Sequence, residues 1–272
     1  MPSRSANWRA GRRSGGFIQL HSWASITTNV ALIAGLGWLT GAGGLASGQA
    51  PSAQRDATRF TEPPGQETDA MKRIIDQAKA ALESGKSTTA ILTDSAYLTA
   101  HEWPRFRQLI RDSAQPSPVT IVSEKEPGQA LTVAGRVVDG YGQPVKAAVM
   151  YFYQTSDKGW YSDRAAHVGG MEGDRKHARL FGYLKATEEG RFELHTIRPA
   201  GYPDSNLPAH IHVEVERADN PAGGLITEIQ FDDDPRLTAE WRKRSQEEGF
   251  VIAKITTDSK NQKRVEVELK MR

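Results

Sequence analysis

The stretch Tyr202-Pro-Asp-Ser-Asn-Leu-Pro-Ala-His-Ile-His-Val-Glu-Val-Glu216 joins a proline-containing turn to a segment in which polar and apolar residues alternate. Because successive side chains of a β-strand point to opposite faces, His210 and His212 share one face, while Ile211 points into the core. Tyr202 lies in the turn just before this strand. Two imidazoles on one face of a strand, with a phenol close by, make a candidate metal site.

A second tyrosine, Tyr161, ends the short segment Gly159-Trp160-Tyr161. The chain contains no cysteine, which excludes disulfides, iron–sulfur clusters, thiolate metal sites and a cysteine nucleophile. Two tyrosines and two histidines favour a hard, oxidised metal such as Fe(III) over zinc or copper sites with soft ligands.

A His-x-His pair is a weak signal by itself, because it arises often by chance. Two other interpretations therefore stay open: a purely structural cluster, and a zinc or copper site that uses only His210 and His212. We expect His167, in a glycine-rich loop, to be exposed and not to be a ligand.

From about residue 129 onward the hydrophobic pattern has a period of two, and turn residues separate the apolar segments. The predicted strands are Leu131–Val138, Ala147–Gln154, Leu180–Lys185, Arg191–His195, Ala209–Glu216, Leu225–Phe231, Val251–Thr256 and Val265–Leu269. Short strands in this number indicate a mainly β fold, and we predict an antiparallel β-sandwich over residues 129–272.

The pattern before this region is helical. Met71, Ile75 and Ala78 have the spacing of one helix face, and a second helical stretch is expected from Asp94 to Arg111. We therefore predict a small amino-terminal helical segment at 66–118, preceded by a disordered linker at 51–65. The helical segment would cover a sheet or pair two subunits, so a homo-oligomer remains open.

The first fifty residues have the composition of a targeting segment. They carry a basic stretch ending at Arg12-Arg13, an apolar stretch from about Ala24 to Ala46 and small residues at 48–50. This order predicts a signal peptide, with a twin-arginine type suggested by the paired arginines. An uncleaved membrane anchor is the alternative, and either reading predicts an exported protein.

The net charge argues against a nucleic-acid partner. Lys and Arg number 35 and Asp and Glu number 33, which leaves a charge of +2. Four of the arginines lie within residues 1–50, a range without acidic residues, so the rest of the chain is close to neutral. Such a balance does not suggest a nucleic-acid partner.

Five ordered segments together resemble the intradiol ring-cleavage dioxygenases, which include the catechol and protocatechuate dioxygenases. The segments are Val133–Asp139 with Gly142-Gln143-Pro144, Tyr153-Gln154-Thr155 with Gly159-Trp160-Tyr161, Gly190-Arg191-Phe192 with Thr196–Pro203, Pro208-Ala209-His210-Ile211-His212, and Asp234-Pro235. Order and spacing carry this resemblance, because no single segment would be specific.

The resemblance implies a β-sandwich that holds non-haem Fe(III) through Tyr161, Tyr202, His210 and His212, with Tyr202 and His212 axial. It also implies a catalytic role for Tyr202, which would leave the iron with a proton of the bound catechol. O₂ would then open the ring between the two oxygen-bearing carbons to give a muconate-type diacid. No organic cofactor is implied.

Two positions depart from the family pattern. Leu207 stands where the family carries an arginine, and Glu228 stands where it carries a glutamine near the iron. The pocket would be less positive, unless Arg198 or Arg179 supplies the missing charge, so Arg198 and Glu228 join Tyr202 as candidate catalytic residues. A neutral catechol, or a larger exposed diol, is then favoured over a carboxylated ring.

These two departures keep an alternative open. It is a secreted transthyretin-like β-sandwich that binds a metal or an aromatic ligand without catalysis.

Overall fold

The structure is a computed structural model that describes residues 63–218, 224–259 and 262–271. The expected signal or anchor at 1–50 and most of the expected linker at 51–65 lie outside these ranges. None of the helices in the described ranges combines the length and the apolar composition that a bilayer crossing requires.

Two β-sheets form the body of the described chain. The strands are β1 (Gln115–Pro116), β2 (Val119–Thr120), β3 (Ala130–Val138), β4 (Val149–Gln154), β5 (Leu180–Lys185), β6 (Arg191–Ile197), β7 (His210–Glu216), β8 (Gly224–Phe231), β9 (Val251–Ala253), β10 (Thr256–Thr257) and β11 (Lys263–Lys270). One sheet has the order β1-β5-β4-β7-β8-β9 and the other the order β10-β11-β3-β6-β2. The predicted mainly β character is confirmed.

The prediction of antiparallel sheets is wrong for four strand pairs. β1 and β5, β2 and β6, β3 and β11, and β8 and β9 are parallel, so both sheets are mixed. A period of two shows which side chains are buried, but it does not show the direction of the neighbouring strand. Long connections provide the crossovers that parallel neighbours need.

The core lies between the apolar faces of the two sheets. In β7 the side chains of Ile211, Val213 and Val215 are buried, as the alternation predicts. Across the two sheets, the rings of Phe152 in β4 and Phe192 in β6 meet with centroids 5.8 Å apart. The histidines of β7 therefore point away from this core, to the outer face of the six-stranded sheet.

The helices of the described ranges are α1 (Asp69–Glu83), α2 (Thr88–Leu92), α3 (Pro104–Asp112), α4 (Gly170–His177) and α5 (Ala239–Glu248), with a 3-10 turn at Leu98–Ala100. α3 covers part of that outer face at β5, whereas α2 contacts β2 of the five-stranded sheet. α1 begins where the Thr68 hydroxyl accepts a bond from the backbone of Met71, and α3 begins at Pro104, a residue suited to a first helical position. The ring of Phe106 in α3 packs edge-to-face on Phe181 of β5.

Candidate metal centre

Four side chains from three parts of the chain bring their donor atoms into a closed ring. The Tyr161 and Tyr202 hydroxyl oxygens are 2.8 Å apart, and the Tyr202 oxygen is 3.2 Å from His210 Nε2. His210 Nε2 is 3.1 Å from His212 Nε2, which is 2.9 Å from the Tyr161 oxygen. The structure thus brings together the four residues that the sequence proposed as metal ligands.

The size of the ring suits a single metal ion. Metal–nitrogen and metal–oxygen bonds of about 2.1 Å place two ligands at right angles roughly 3 Å apart. All four edges of the ring lie close to that separation. Two phenol oxygens and two imidazole nitrogens form a donor set for a hard, oxidised ion rather than for a thiophilic one.

β7 presents both histidines, and its neighbours fix their rings. His212 is paired in register with Tyr153 of β4 and with Glu228 of β8. Its imidazole stacks on the Tyr153 ring, with centroids 4.3 Å apart and planes inclined by 11°. His210 Nδ1 lies 2.8 Å from the Pro208 carbonyl oxygen. Because that oxygen only accepts, Nδ1 carries the proton and Nε2 keeps its lone pair for the centre.

A buried carboxylate fixes the start of β7. Asp234 Oδ2 accepts a hydrogen bond from the Ala209 backbone N–H at 2.7 Å, and Oδ1 accepts one from the Arg236 backbone N–H at 2.8 Å. Asp234 is buried, so these bonds satisfy a carboxylate that would otherwise be costly to bury. The Asp234-Pro235 motif thus sets the position at which His210 enters the centre.

The loop of Tyr161 and the loop of Tyr202 are tied together. Thr155 Oγ1 donates to the Ala200 carbonyl oxygen at 2.7 Å, and the Ala200 backbone N–H donates to the Ser156 carbonyl oxygen at 3.0 Å. Gly159 has a φ of 76°, and a Cβ there would lie 2.3 Å from the Gly201 carbonyl oxygen. Glycine at this position therefore allows the close approach that brings the two phenols together.

Burial shifts the pKa values of Tyr161, Tyr202 and His212. It raises the pKa of Tyr161 well above its usual value, and the nearby Tyr202 adds to this effect. Burial, with the charge of Glu228, also raises the pKa of Tyr202. Burial and the neighbouring His210 hold the pKa of His212 well below its usual value. His212 is thus a neutral donor, and a multivalent cation would be needed to stabilise the two phenolates.

The two candidate residues outside the ring have different surroundings. Glu228 Oε1 lies 3.7 Å from His212 Nδ1 and 4.0 Å from His210 Nε2. The Arg198 guanidinium forms two hydrogen bonds of 2.7 Å with Asp233 and lies over the Phe231 ring. The charge of Arg198 is therefore neutralised by Asp233. Within the described ranges, the side-chain contacts given for Arg198 do not include the four donor residues.

Arg179, the other cation considered, is also paired. Its guanidinium binds Glu126 at 2.7 Å and Asp163 at 2.7 Å. The structure therefore gives neither arginine an uncompensated charge that would replace the one missing at Leu207.

His167 is placed at the centre, against the expectation of a simple surface residue. Its ring lies edge-to-face on the Tyr202 ring with centroids 4.9 Å apart, and its Nδ1 is 2.7 Å from Asp174 Oδ2. The sequence offered no signal for this pair, because Asp174 belongs to α4. The low helix propensity of the glycines in α4 kept that helix from being predicted.

A small cavity of about 150 Å³ opens beside Tyr202. It is lined by Ala166, His167, Tyr202, Pro203, Asp204 and Ser205. Tyr202 is thus the one phenol of the ring that borders this cavity, whereas Tyr161 is fully enclosed.

Comparisons with known proteins find relatives of the part of the chain that contains this centre. A family model described as Dioxygenase matches residues 102–272. The chain is 31% identical over 123 residues to the protocatechuate 3,4-dioxygenase beta chain of Burkholderia cepacia, covering 43% of this chain and 51% of that protein. It is 26% identical over 143 residues to catechol 1,2-dioxygenase 1 of Acinetobacter lwoffii, covering 47% of this chain and 44% of that protein. The chain spans about half the length of these relatives.

Solved structures also align with the chain. For 3-chlorocatechol 1,2-dioxygenase from Rhodococcus opacus 1CP the identity is 16% and the TM-score 0.45, with 74% of this chain and 96% of that chain covered. For hydroxyquinol 1,2-dioxygenase from Pseudomonas putida DLL-E4 the identity is 21% and the TM-score is 0.40, with 58% of this chain and 62% of that chain covered.

Proposed function

This chain belongs to the intradiol ring-cleavage dioxygenase family, and we propose that it uses O₂ to open the ring of a catechol-type diol at a ferric centre. The observation that carries the proposal is the closed ring of Tyr161, Tyr202, His210 and His212, with edges from 2.8 to 3.2 Å. The expected product is a muconate-type diacid, and no organic cofactor is required.

The donor set fits non-haem Fe(III). Two phenolates would offset most of the charge of the ion, while His210 and the neutral His212 would complete the protein ligands. Bound there, ferric iron would act as a Lewis acid towards the diol and withdraw electron density from its ring, which would make the ring reactive towards O₂.

Tyr202 is the residue that we assign to proton transfer. It borders the cavity through which a diol would reach the centre, whereas Tyr161 is only 1% exposed. The Tyr202 phenolate would accept a proton from a substrate hydroxyl that reaches the centre through this cavity. Burial disfavours the phenolate form, so accepting this proton is favourable.

The cavity favours a substrate with one aromatic ring. Its volume of about 150 Å³ is close to that of an apolar cavity known to hold benzene. Asp204 lines it, and Glu228 lies beside the two histidines. These carboxylates disfavour a ring that carries its own carboxylate, so we propose a neutral diol as the substrate.

Oxygen uptake with catechol tests the proposal. We expect O₂ consumption with formation of a ring-opened diacid of the intradiol type, identified by mass spectrometry. The Tyr202→Phe variant should lose at least about 100-fold in rate, the lower range for a positioned acid or base. Tyr141→Phe is the control, because Tyr141 is 92% exposed. Binding of catechol without O₂ uptake would instead support the non-catalytic binding module.

Export is part of the proposal and rests on residues 1–50 alone. Amino-terminal sequencing of the protein recovered from the periplasm or the medium would test it. A mature protein beginning near residue 51 would support a cleaved signal, and a membrane-bound full-length chain would support an anchor. The oligomeric state stays a prediction that light scattering of the purified protein can test.

A further inference from the structure

Glu228 is directly opposite His212 in the register of β7 and β8, so both side chains lie on the outer face of the sheet. Its Oε1 is 3.7 Å from His212 Nδ1 and 4.0 Å from His210 Nε2. The other carboxylate oxygen, Oε2, accepts a hydrogen bond of 3.2 Å from the Gln230 side chain. That bond turns Oε1 towards the histidines.

The two nitrogens of His212 face different partners. Nε2 belongs to the ring of donors, at 2.9 Å from the Tyr161 oxygen, while Nδ1 is the atom closest to Glu228. Histidines that bind metals usually donate the other N–H to a carboxylate, a carbonyl or water, which fixes the ring and strengthens the ligand. The separation of 3.7 Å exceeds a hydrogen bond, and a movement of about 1 Å at the end of the Glu228 side chain would close it.

Charge balance gives this carboxylate a second effect. Glu228 adds a negative charge beside the two phenolates, and negative charge in a largely buried site stabilises a trivalent ion more than a divalent one. The ion-pair contacts given for Glu228 within the described ranges are with His210 and His212, while the Arg198 guanidinium is paired with Asp233.

We propose that Glu228 is a positioning residue of the centre. Its carboxylate accepts a hydrogen bond from Nδ1–H of His212 and biases the site towards a trivalent ion. This inference rests on the proposed ferric centre. Glu228 stands where the family pattern has a glutamine, and the proposal gives a role to its negative charge.

The Glu228→Gln substitution tests the proposal, because it keeps the size of the side chain and removes only the charge. We expect the preference for ferric over ferrous iron to fall about tenfold, within the range for outer partners of metal ligands. For a one-electron couple that change corresponds to a reduction potential about 59 mV higher. The measurement is a spectroelectrochemical titration of the iron-loaded protein, followed at the tyrosinate-to-iron absorption band.

Two further variants separate charge from structure. Glu228→Asp retains the charge and should keep most of the wild-type potential. Glu214→Gln is the matched control, because Glu214 lies on the same face of β7 but is held by Arg175 at 2.6 Å. We expect its reduction potential to equal that of the wild type.

Each outcome is decisive. An unchanged potential in Glu228→Gln, with the absorption band intact, would contradict the inference and leave the ferric centre standing. Loss of the band in that variant would make Glu228 a direct ligand and would overturn its role as an outer partner. A wild-type protein without the band would contradict the proposed function itself, and the inference with it.

Discussion

Gly159 and Gly201 approach each other so closely that a single added methyl group would not fit. A Cβ on Gly159 would lie 2.3 Å from the Gly201 carbonyl oxygen, so close that the backbone of one of the two loops would have to move. Tyr161 lies two residues after one of these glycines, and Tyr202 directly follows the other. The contact therefore sets the distance between the two phenols of the centre.

Replacing Gly159 by alanine should damage the centre more than the fold. Gly159 and Gly142 have φ angles of 76° and 79°, but nothing lies within 4 Å of a Cβ at Gly142. Either alanine should cost about 1–2 kcal/mol for the left-handed backbone. Only Gly159→Ala should also reduce iron binding, measured as iron retained after dialysis. Equal iron retention in the two variants would show that this contact does not position the phenols.

Asp234 should be more important than its neighbour Asp233. Asp234→Asn directs an amide N–H at the backbone N–H of Ala209 or Arg236, and one unsatisfied buried donor costs about 1–3 kcal/mol. Asp233 is half exposed in its pair with Arg198, and such pairs contribute less than about 1 kcal/mol. Urea unfolding of both asparagine variants measures the difference. Equal losses would mean that Asp234 does not hold the start of β7.

His101 should make the protein sensitive to acid. It is buried, and its Nδ1 donates to the Arg179 carbonyl oxygen at 2.9 Å. Burial lowers its pKa from the ordinary 6.5 to about 4. Above pH 6.5 the residue is neutral in the folded and unfolded states. Below it the unfolded chain takes up the proton first, so stability falls until about pH 4, where the folded protein is protonated as well.

The size of this effect follows from the pKa difference. It corresponds to a loss of about 3 kcal/mol between pH 6.5 and pH 4. Urea titrations at several pH values, for the wild type and for His101→Gln, would isolate the contribution of this residue. Parallel curves for the two proteins would show that other groups cause the acid sensitivity.

His167 should affect substrate binding rather than iron content. Its edge-to-face contact with Tyr202 belongs to a type worth about 0.5–1.5 kcal/mol. We expect His167→Ala to raise KM for catechol about 2- to 10-fold while iron content stays unchanged. His195→Ala, on β6 of the other sheet, is the control. A loss of iron in His167→Ala would assign His167 to the metal centre instead.

The strands were predictable because their chemistry is local. Leu180–Lys185 was expected with the bounds that the structure has, and β7 differs from its expected range only by Ala209. The direction of the neighbours was not predictable, because β3 pairs with β11 from the far end of the chain. α4 was missed because Gly170 and Gly173 disfavour a helix.

The candidate centre was also predictable only in part from the sequence. The shared face of His210 and His212 follows from the strand period, whereas the approach of Tyr161 and Tyr202 was implied only by the family resemblance. The position of Glu228 opposite His212 depends on strand register, which a single sequence does not state. The pairing of His167 with Asp174 depends on the fold of α4.

The visible absorption spectrum of the purified protein, with its iron quantified, tests the central claim most directly. The measurement is made before and after catechol is added without oxygen. We expect stoichiometric iron and a tyrosinate-to-Fe(III) charge-transfer band that shifts when catechol is added, since phenolate and substrate would both bind the ion. A protein that stays colourless after reconstitution with ferric iron would contradict the assignment of Tyr161, Tyr202, His210 and His212 as an iron centre.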